Sequence, residues 1–388
     1  MQINFRGGKI YVGDIMLKLF SVKNFRSFGD EIIIDFSNTR DEYGFNEYCI
    51  KDGLISKAMI YGKNGVGKSN LGFALFDIVS VLTDGHVSQE TMISSLFLNA
   101  DSKEDKATFH YEFILDRDEV IYEYSKKDIK TLATEQLSIN GSVIFKYNFD
   151  KGEFENNGLN LIGADSLNFE LWDNELSILK YIISHSNMNT MPIIKKVANF
   201  VRRMIWFRSL QKNQFIGMKP ENRNAIEDII KNNKVDDFAE FLYKVTDQKY
   251  KLRGYINDDG KYKIREVHEC REIDFYTAAS NGTKTLTLFY GWMIHFSKAS
   301  FIWMDEFDAF YHFELAKSIV EEVLEFENAQ VVITSHNTYL LDNELLRPDV
   351  YFYLNDGKLR SFADSTFREL REGHDIERLF RNGDFEDE

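Results

Sequence analysis

The residues with the clearest chemical pattern form one glycine-rich run. It reads Gly62-Lys63-Asn64-Gly65-Val66-Gly67-Lys68-Ser69 and follows a short apolar segment, AMIY, at residues 58–61. The run fits G-x-x-x-x-G-K-[ST], and the apolar spacing of residues 70–82 predicts a helix directly after it. Glycines let backbone N–H groups face a phosphate, the lysine reaches the β- and γ-phosphates, and the serine hydroxyl can ligate Mg²⁺. The candidate nucleotide-binding residues are therefore Gly62, Asn64, Gly65, Gly67, Lys68, Ser69 and Asn70.

A second pattern is an apolar strand that ends in two carboxylates, Phe301-Ile302-Trp303-Met304-Asp305-Glu306. A buried parallel strand delivers such a pair to the carboxyl edge of its sheet, where ligands bind. Asp305 can then hold Mg²⁺, and Glu306 can act as the catalytic carboxylate that polarises an attacking water. An ordinary solvated strand end is the alternative, which the upstream glycine-rich run disfavours.

Two further motifs lie on either side of this strand. Residues 331–336, Val-Val-Ile-Thr-Ser-His, predict another buried strand, which ends beside a histidine that could contact a γ-phosphate. Upstream, Ala279-Ser280-Asn281-Gly282-Thr283-Lys284 opens a predicted helix. A serine N-cap and the following N–H groups can bind an anion, although each motif alone also fits a purely structural role. We take His336 as a candidate catalytic residue and Ser280, Asn281 and Gly282 as candidate ligand contacts.

These motifs require a particular set of elements to bring them together. Two β-rich runs between residues 16 and 36 predict a hairpin, and residues 107–150 read as antiparallel strands. Helical patterns fill much of 170–247, and strand and helix alternate again from residue 281 onward. We therefore predict an α/β fold with an N-terminal lobe at 16–165, a mostly helical insertion at 166–270 and a C-terminal lobe at 271–388. Residues 1–15 are interpreted as an extension.

The composition limits the possible partners. The chain has 388 residues and a formal net charge of −15. Counterion release from nucleic acid needs a basic face, so this balance does not indicate nucleic-acid binding, although a local basic groove stays open. No apolar signal segment is visible at the N-terminus, and polar residues interrupt the longest apolar stretch, 286–304. We expect a cytoplasmic protein that does not associate with membranes.

Taken in order, the four motifs resemble those of the ABC-type ATPase superfamily, in the branch that contains SMC, RecF and OLD proteins. Residues 279–284 are similar to the signature L-S-G-G-E-K but place Asn281 at the first glycine. Residues 305–309, Asp-Glu-Phe-Asp-Ala, look like the SMC-type D-E-x-D-A run, and His336 matches the switch histidine. The resemblance implies a head with a mixed sheet, flanking helices and an antiparallel β part, split by a mixed helical and β insertion.

The family resemblance also implies an activity and an assembly. Two such heads sandwich two ATP molecules with Mg²⁺, and each site combines the P-loop of one chain with the signature of the other. We therefore expect an ATPase that works as a dimer or as a larger assembly of dimers. Gln211, after the strand-like residues 204–210, is the candidate Q-loop residue that would sense Mg²⁺, although the sequence alone favours a surface glutamine in a loop.

Departures from the family pattern distinguish its members. Ser280 lies 212 positions after Lys68, which is too far for a transporter subunit. The insertion lacks the heptads of SMC arms, and about fifty residues after His336 leave no room for an OLD-type nuclease domain. The remaining resemblance is to compact ATPases of bacterial anti-phage defence, abortive-infection and toxin–antitoxin operons, RloA/AbiLi-like or PARIS-like. These imply control of a separately encoded effector. A RecF-like ATPase of DNA repair or maintenance stays the alternative, because it would use the same ATP chemistry.

Overall fold

The computed structural model describes residues 15–84, 96–169, 173–208, 214–217 and 224–385. Its strands are β1 (Ile15–Lys23), β2 (Ile32–Asp35), β3 (Ile50–Lys51), β4 (Leu54–Ile55), β5 (Lys57–Tyr61), β6 (Ala107–Leu115), β7 (Asp118–Lys126), β8 (Leu132–Ile139), β9 (Ser142–Asn148), β10 (Glu153–Asn156), β11 (Met204–Arg208), β12 (Gln214–Gly217), β13 (Leu252–Ile256), β14 (Tyr262–Val267), β15 (Glu272–Asp274), β16 (Phe301–Asp305), β17 (Gln330–Ser335), β18 (Tyr351–Asn355) and β19 (Lys358–Ser361). Its helices are α1 (Lys68–Leu75), α2 (Asp77–Leu82), α3 (Ile178–His185), α4 (Pro192–Arg202), α5 (Ala225–Lys231), α6 (Val235–Thr246), α7 (Phe275–Ala278), α8 (Asn281–Phe296), α9 (Phe313–Leu324) and α10 (Ile376–Arg381).

The chain divides into two compact units. Among the described residues, the first unit comprises 15–35, 81–83, 96–169 and 173–202, and the second comprises 36–80, 84, 203–208, 214–217 and 224–385. Each unit contains one seven-stranded sheet, and the predicted mixed α/β class is confirmed. Within the described residues, no helix has the length and apolar character needed to cross a membrane.

The first unit is built on an antiparallel sheet with strand order β10-β9-β8-β7-β6-β1-β2. The predicted hairpin at its start is confirmed, because β1 pairs with β2. Alternate residues of β6 are buried, as expected for a sheet with one face in a core. Glu135 of β8 is fully buried and accepts hydrogen bonds from the backbone N–H groups of Ile178 and Leu179 and from the hydroxyls of Tyr122 and Ser177. These bonds anchor the N-terminus of α3 to the sheet.

The second unit contains a mixed sheet with strand order β12-β11-β16-β17-β5-β18-β19. The five central strands run parallel, and the two edge strands are antiparallel to their neighbours. Every residue of β5, β11, β16 and β17 is buried, which explains why the interiors of these segments are apolar. All five parallel strands therefore direct their carboxyl ends to one edge of the sheet.

The helix expected over residues 70–82 differs from the structure in two ways. It begins at Lys68, and it is divided into α1 and α2 at Phe76. The earlier start follows from Gly67, which adopts φ 110° as the N-cap residue and turns the chain directly into the helix. Lys68 and Ser69 consequently belong to the first turn of α1.

Candidate functional site

Three parallel strands bring polar residues to the same edge of the mixed sheet. The glycine-rich loop follows β5, Asp305 ends β16, and Ser335 ends β17. Because β17 lies between β5 and β16, the predicted P-loop, carboxylate pair and switch segment end side by side. The sheet order thus assembles residues that are separated by more than two hundred positions in the sequence.

The glycine-rich loop has a backbone shape that depends on missing side chains. A Cβ atom at Gly62 would lie 2.8 Å from the carbonyl oxygen of Leu354 and from Cγ2 of Val66. Gly67 adopts a left-handed φ of 110°, which other residues rarely reach. A glycine N-cap also provides no side chain to occupy the first N–H groups of α1. The loop therefore fits a phosphate chain that approaches the helix N-terminus.

Lys68 is buried at the base of this loop. Its Nζ atom donates hydrogen bonds to the carbonyl oxygens of Gly62, at 2.8 Å, and of Lys63, at 3.2 Å. The same atom lies 3.5 Å from Oε1 of Glu306. The ammonium group is thus fixed between the loop and the catalytic candidate, where it can neutralise added negative charge.

Asp305 accepts hydrogen bonds from two hydroxyl groups. Ser69 Oγ donates to Oδ2 at 2.7 Å, and Thr334 Oγ1 donates to Oδ1 at 2.8 Å. Burial raises the pKa of Asp305, and the two hydroxyl donors and the nearby charge of Arg208 oppose that rise. The carboxylate therefore joins the start of α1 to the ends of β16 and β17. Ser69 and Asp305 supply the oxygen ligands that Mg²⁺ prefers.

Glu306 has an unusual backbone conformation. Its φ of 44° is left-handed, which costs about 1 to 2 kcal/mol for a residue with a side chain. Its N–H donates to Thr334 Oγ1 at 3.0 Å, so one threonine hydroxyl contacts both residues of the carboxylate pair. The strain is maintained by these contacts and turns Glu306 toward Lys68.

The switch segment is connected to the residues after β16. Ser335 Oγ donates to Oδ2 of Asp308 at 2.7 Å and accepts from the N–H of Asn337. Burial raises the pKa of Asp308, and the bond from Ser335 and the charge of His336 oppose that increase. His336 itself is exposed at the edge of the site. The two segments around His336 and Glu306 are therefore held in a fixed relation.

Sequence reasoning missed two residues of this cluster, Arg208 and Thr334. Arg208 is buried at the end of β11, directly opposite Asp305 in the strand register, and its guanidinium lies over the ring of Phe73. Both residues end apolar runs, MIWFR and VVIT, in the same way that Asp305 ends FIWMD. A polar residue at the end of an apolar run is therefore the sequence pattern from which both residues could have been found.

The remaining candidates lie as follows. Lys63, Asn64 and Gly65 are exposed on the loop, and Asn70 lies in the first turn of α1. Ser280 is the N-cap of α8, where its hydroxyl accepts from the N–H of Thr283 at 3.1 Å. Asn281 and Gly282 follow it, and all three residues are exposed. Gln211 and residues 1–14 lie outside the described residues.

The glycine-rich loop that opens α1 and the carboxylate pair at the end of a parallel strand in the same sheet define the class of P-loop nucleotide-binding domains. Within that class, the chain belongs to the AAA_21 family, described as "AAA domain, putative AbiEii toxin, Type IV TA system". The family profile matches residues 57–342, which contain all four motifs. No curated protein sequence matches the chain.

Several solved structures are similar to the chain at low identity. The SMC head domain from Thermotoga maritima is 16% identical, with 89% of this chain and 97% of that chain covered and a TM-score of 0.44. The Smc head domain with a coiled coil and joint from Pyrococcus yayanosii is 13% identical, with 95% and 99% covered and a TM-score of 0.49. The Smc head domain from Pyrococcus furiosus, bound to the C-terminal domain of ScpA, is 15% identical, with 89% and 95% covered and a TM-score of 0.46.

The position of Thr334 generates a prediction about stability. Thr334→Val keeps the shape of the side chain but removes one donor to Asp305 and the acceptor of the Glu306 N–H. We expect the free energy of unfolding to fall by about 1 to 3 kcal/mol, because buried polar groups lose their partners. Denaturant unfolding of the wild type and the variant measures this change. Thr334→Ser, which keeps the hydroxyl, is the control and should remain close to the wild type. Equal stability of Thr334→Val would show that the hydroxyl bridge contributes nothing.

Proposed function

We propose that this protein is an ATPase that binds ATP with Mg²⁺, dimerises around it and hydrolyses it to ADP and phosphate. The observation that carries the proposal is the cluster of Lys68, Ser69, Asp305, Glu306 and Thr334 at one sheet edge. It combines a buried cation, two hydroxyls and two carboxylates within connected hydrogen-bonding distance. This is the donor and acceptor set that phosphoryl transfer requires.

Each residue has a role in the proposed reaction. The N–H groups of the loop and Lys68 would bind the β- and γ-phosphates, and Ser69 and Asp305 would hold Mg²⁺. Bound Mg²⁺ supplies neutralisation of the charge on the phosphate oxygens. Glu306 orients a water and accepts its proton on a carboxylate oxygen, and His336 contacts the same region from the neighbouring strand. Thr334 fixes the backbone of Glu306 for this task.

Two variants separate binding from hydrolysis. Lys68→Ala should abolish ATP binding, because it removes the main positive charge from the phosphate site. Glu306→Gln should bind ATP normally but hydrolyse it at least about 100-fold more slowly, since the amide keeps the shape and loses the base. Nucleotide-binding titrations and phosphate-release assays measure both effects. ATP affinity within a few-fold of the wild type for Lys68→Ala, or normal turnover for Glu306→Gln, would overturn the assignment.

The position of α8 supports an assembly with shared sites. Ser280, Asn281 and Gly282 are exposed at the N-terminus of this helix, with their N–H groups at its positive end. A second chain can therefore place its ATP phosphates against this surface. In the assembly that we propose, each ATP lies between the P-loop of one chain and Ser280 of the other, so only the dimer is catalytically complete.

Mixed dimers test this arrangement. Ser280→Arg should stop hydrolysis but leave ATP binding to a single chain intact, because the bulky cation blocks only the site of the opposing chain. Mixing it with Lys68→Ala should restore part of the activity, since one composite site then contains both defects and the other contains neither. The measurement is ATP turnover after verified subunit exchange. Absence of recovery would argue against the shared sites.

We further propose that ATP turnover controls a separately encoded partner in a bacterial defence or toxin–antitoxin unit. The family description, "AAA domain, putative AbiEii toxin, Type IV TA system", supports this toxin–antitoxin context. The net charge of −15 favours a protein partner over the DNA grip of a RecF-like protein. The proposed defence or toxin–antitoxin context rests on family membership, whereas the proposed ATP hydrolysis rests on the geometry of the site.

Purification from the native operon tests the partner. We expect the product of a neighbouring gene to co-purify, to accumulate on the hydrolysis-deficient Glu306→Gln and to be lost from Lys68→Ala. Mass spectrometry of the purified complexes, with nucleic-acid content measured in parallel, gives the result. Salt-resistant retention of DNA without a neighbouring gene product would instead favour the RecF-like alternative.

A further inference from the structure

Helix α8 carries Ser280 at its exposed end and is tightly packed at its other end. Gly291, in the C-terminal half of the helix, faces α5 at very close range. A Cβ atom at Gly291 would lie 2.5 Å from Cβ and 2.8 Å from Cα of Ala225. Both are atoms at or next to the backbone, so neither can move away without shifting a helix. The two helices therefore depend on glycine at this contact.

A polar contact lies one turn further along the same interface. Nε2 of His295 is 3.3 Å from Oδ2 of Asp228, which belongs to α5. The two side chains are only 12% and 7% exposed. A buried pair of this kind has a defined geometry, because either partner alone would leave a buried polar group unsatisfied. It fixes the rotation of α8 about its axis relative to α5.

Aromatic packing holds α8 from α6. The ring of Tyr290 lies 5.0 Å from that of Phe238 and 5.1 Å from that of Phe241. These rings are buried and leave little room for the helix to move sideways. The C-terminal half of α8 is thus held on two sides by the helices that precede it in the sequence.

A small movement at the C-terminal end of α8 displaces its N-terminal end. The eleven steps from Gly291 to Ser280 span about 16 Å at 1.5 Å per residue. A helix is stiff over this distance, so a tilt at Gly291 displaces Ser280. The proposed function needs Ser280 at a defined place against the phosphates of another chain, and such sites lose much of their rate when displaced by about 1 Å.

We propose that α5 positions the signature helix through the Ala225–Gly291 contact and the Asp228–His295 pair. This inference rests on the proposed dimeric ATPase and makes Gly291 and Asp228 positioning residues. Their effect is expected on the signature side of the composite site and not on the P-loop side.

The test is Gly291→Ala, whose added methyl group pushes α8 away from α5. We expect ATP turnover to fall at least tenfold, with ATP affinity of the single chain within twofold of the wild type. Gly373→Ala is the matched control, because a Cβ atom there meets nothing within 4 Å, and it should turn over ATP normally. Adding Ala225→Gly to Gly291→Ala removes the nearer of the two clashing atoms and should restore part of the turnover.

Mixed dimers distinguish positioning from general damage. Gly291→Ala should recover activity when mixed with Lys68→Ala, since one composite site then has an intact P-loop and a correctly positioned signature. It should not recover when mixed with Ser280→Arg, because both variants damage the signature side. Recovery with neither variant, or a wild-type rate for folded Gly291→Ala, would overturn the inference.

A second variant covers the case in which Gly291→Ala does not fold. Asp228→Asn keeps the shape and removes the charge, and it should show the same complementation pattern with a smaller loss of turnover. A wild-type rate for folded Asp228→Asn would then contradict the positioning role. If the wild-type protein itself hydrolyses no ATP, or if Lys68→Ala hydrolyses it normally, the proposed function fails instead. The two failures are therefore distinguishable.

Discussion

The site depends on one buried carboxylate that is shared by two hydroxyl groups. Asp305 is removed from water, so its charge must be balanced locally, and Ser69 and Thr334 each donate one hydrogen bond to it. The first belongs to the helix after the P-loop, and the second belongs to the adjacent strand. Satisfying this carboxylate therefore brings three chain segments to a common point. The parallel register of the sheet makes this possible, because it places the strand ends at the same level.

Local patterns predicted the parts of the site that are contiguous in the sequence. The P-loop could be found because its loop conformation requires glycines at fixed spacing, and Asp305 with Glu306 could be found because an apolar strand precedes them. The same reasoning predicted the mixed α/β class and the N-terminal hairpin. Arg208 could not be assigned, because its role depends on β11 lying next to β16, and strand order is a long-range property. Thr334 was not singled out, because His336 is the functional candidate of the same segment.

The residues between the N-terminal and the C-terminal motifs have structural roles that no sequence motif indicates. Strand β11 lies in the sheet beside the strand that ends in the carboxylate pair, while α5 and α6 pack on α8. Packing of this type depends on complementary shape, such as a glycine facing an alanine, and many sequences can provide it. Short sequence motifs reflect residues that contact a ligand. The contacts of β11, α5 and α6 are made within the protein, so no such motif marks them. Strand β11 and helices α5 and α6 are consequently part of the catalytic architecture that we propose.

The hydrogen bonds that Lys68 makes to its own loop would reduce the free energy gained on nucleotide binding. Its ammonium group already donates to the carbonyl oxygens of Gly62 and Lys63, so a phosphate bound as we propose would exchange one set of acceptors for another. The free energy gained on binding is the difference between the hydrogen bonds of Lys68 to the phosphate and its hydrogen bonds to the loop. The loop carbonyl oxygens would therefore compete with the nucleotide for Lys68. Changing how well the loop carbonyl oxygens satisfy Lys68 would therefore tune the affinity of the nucleotide complex that we propose.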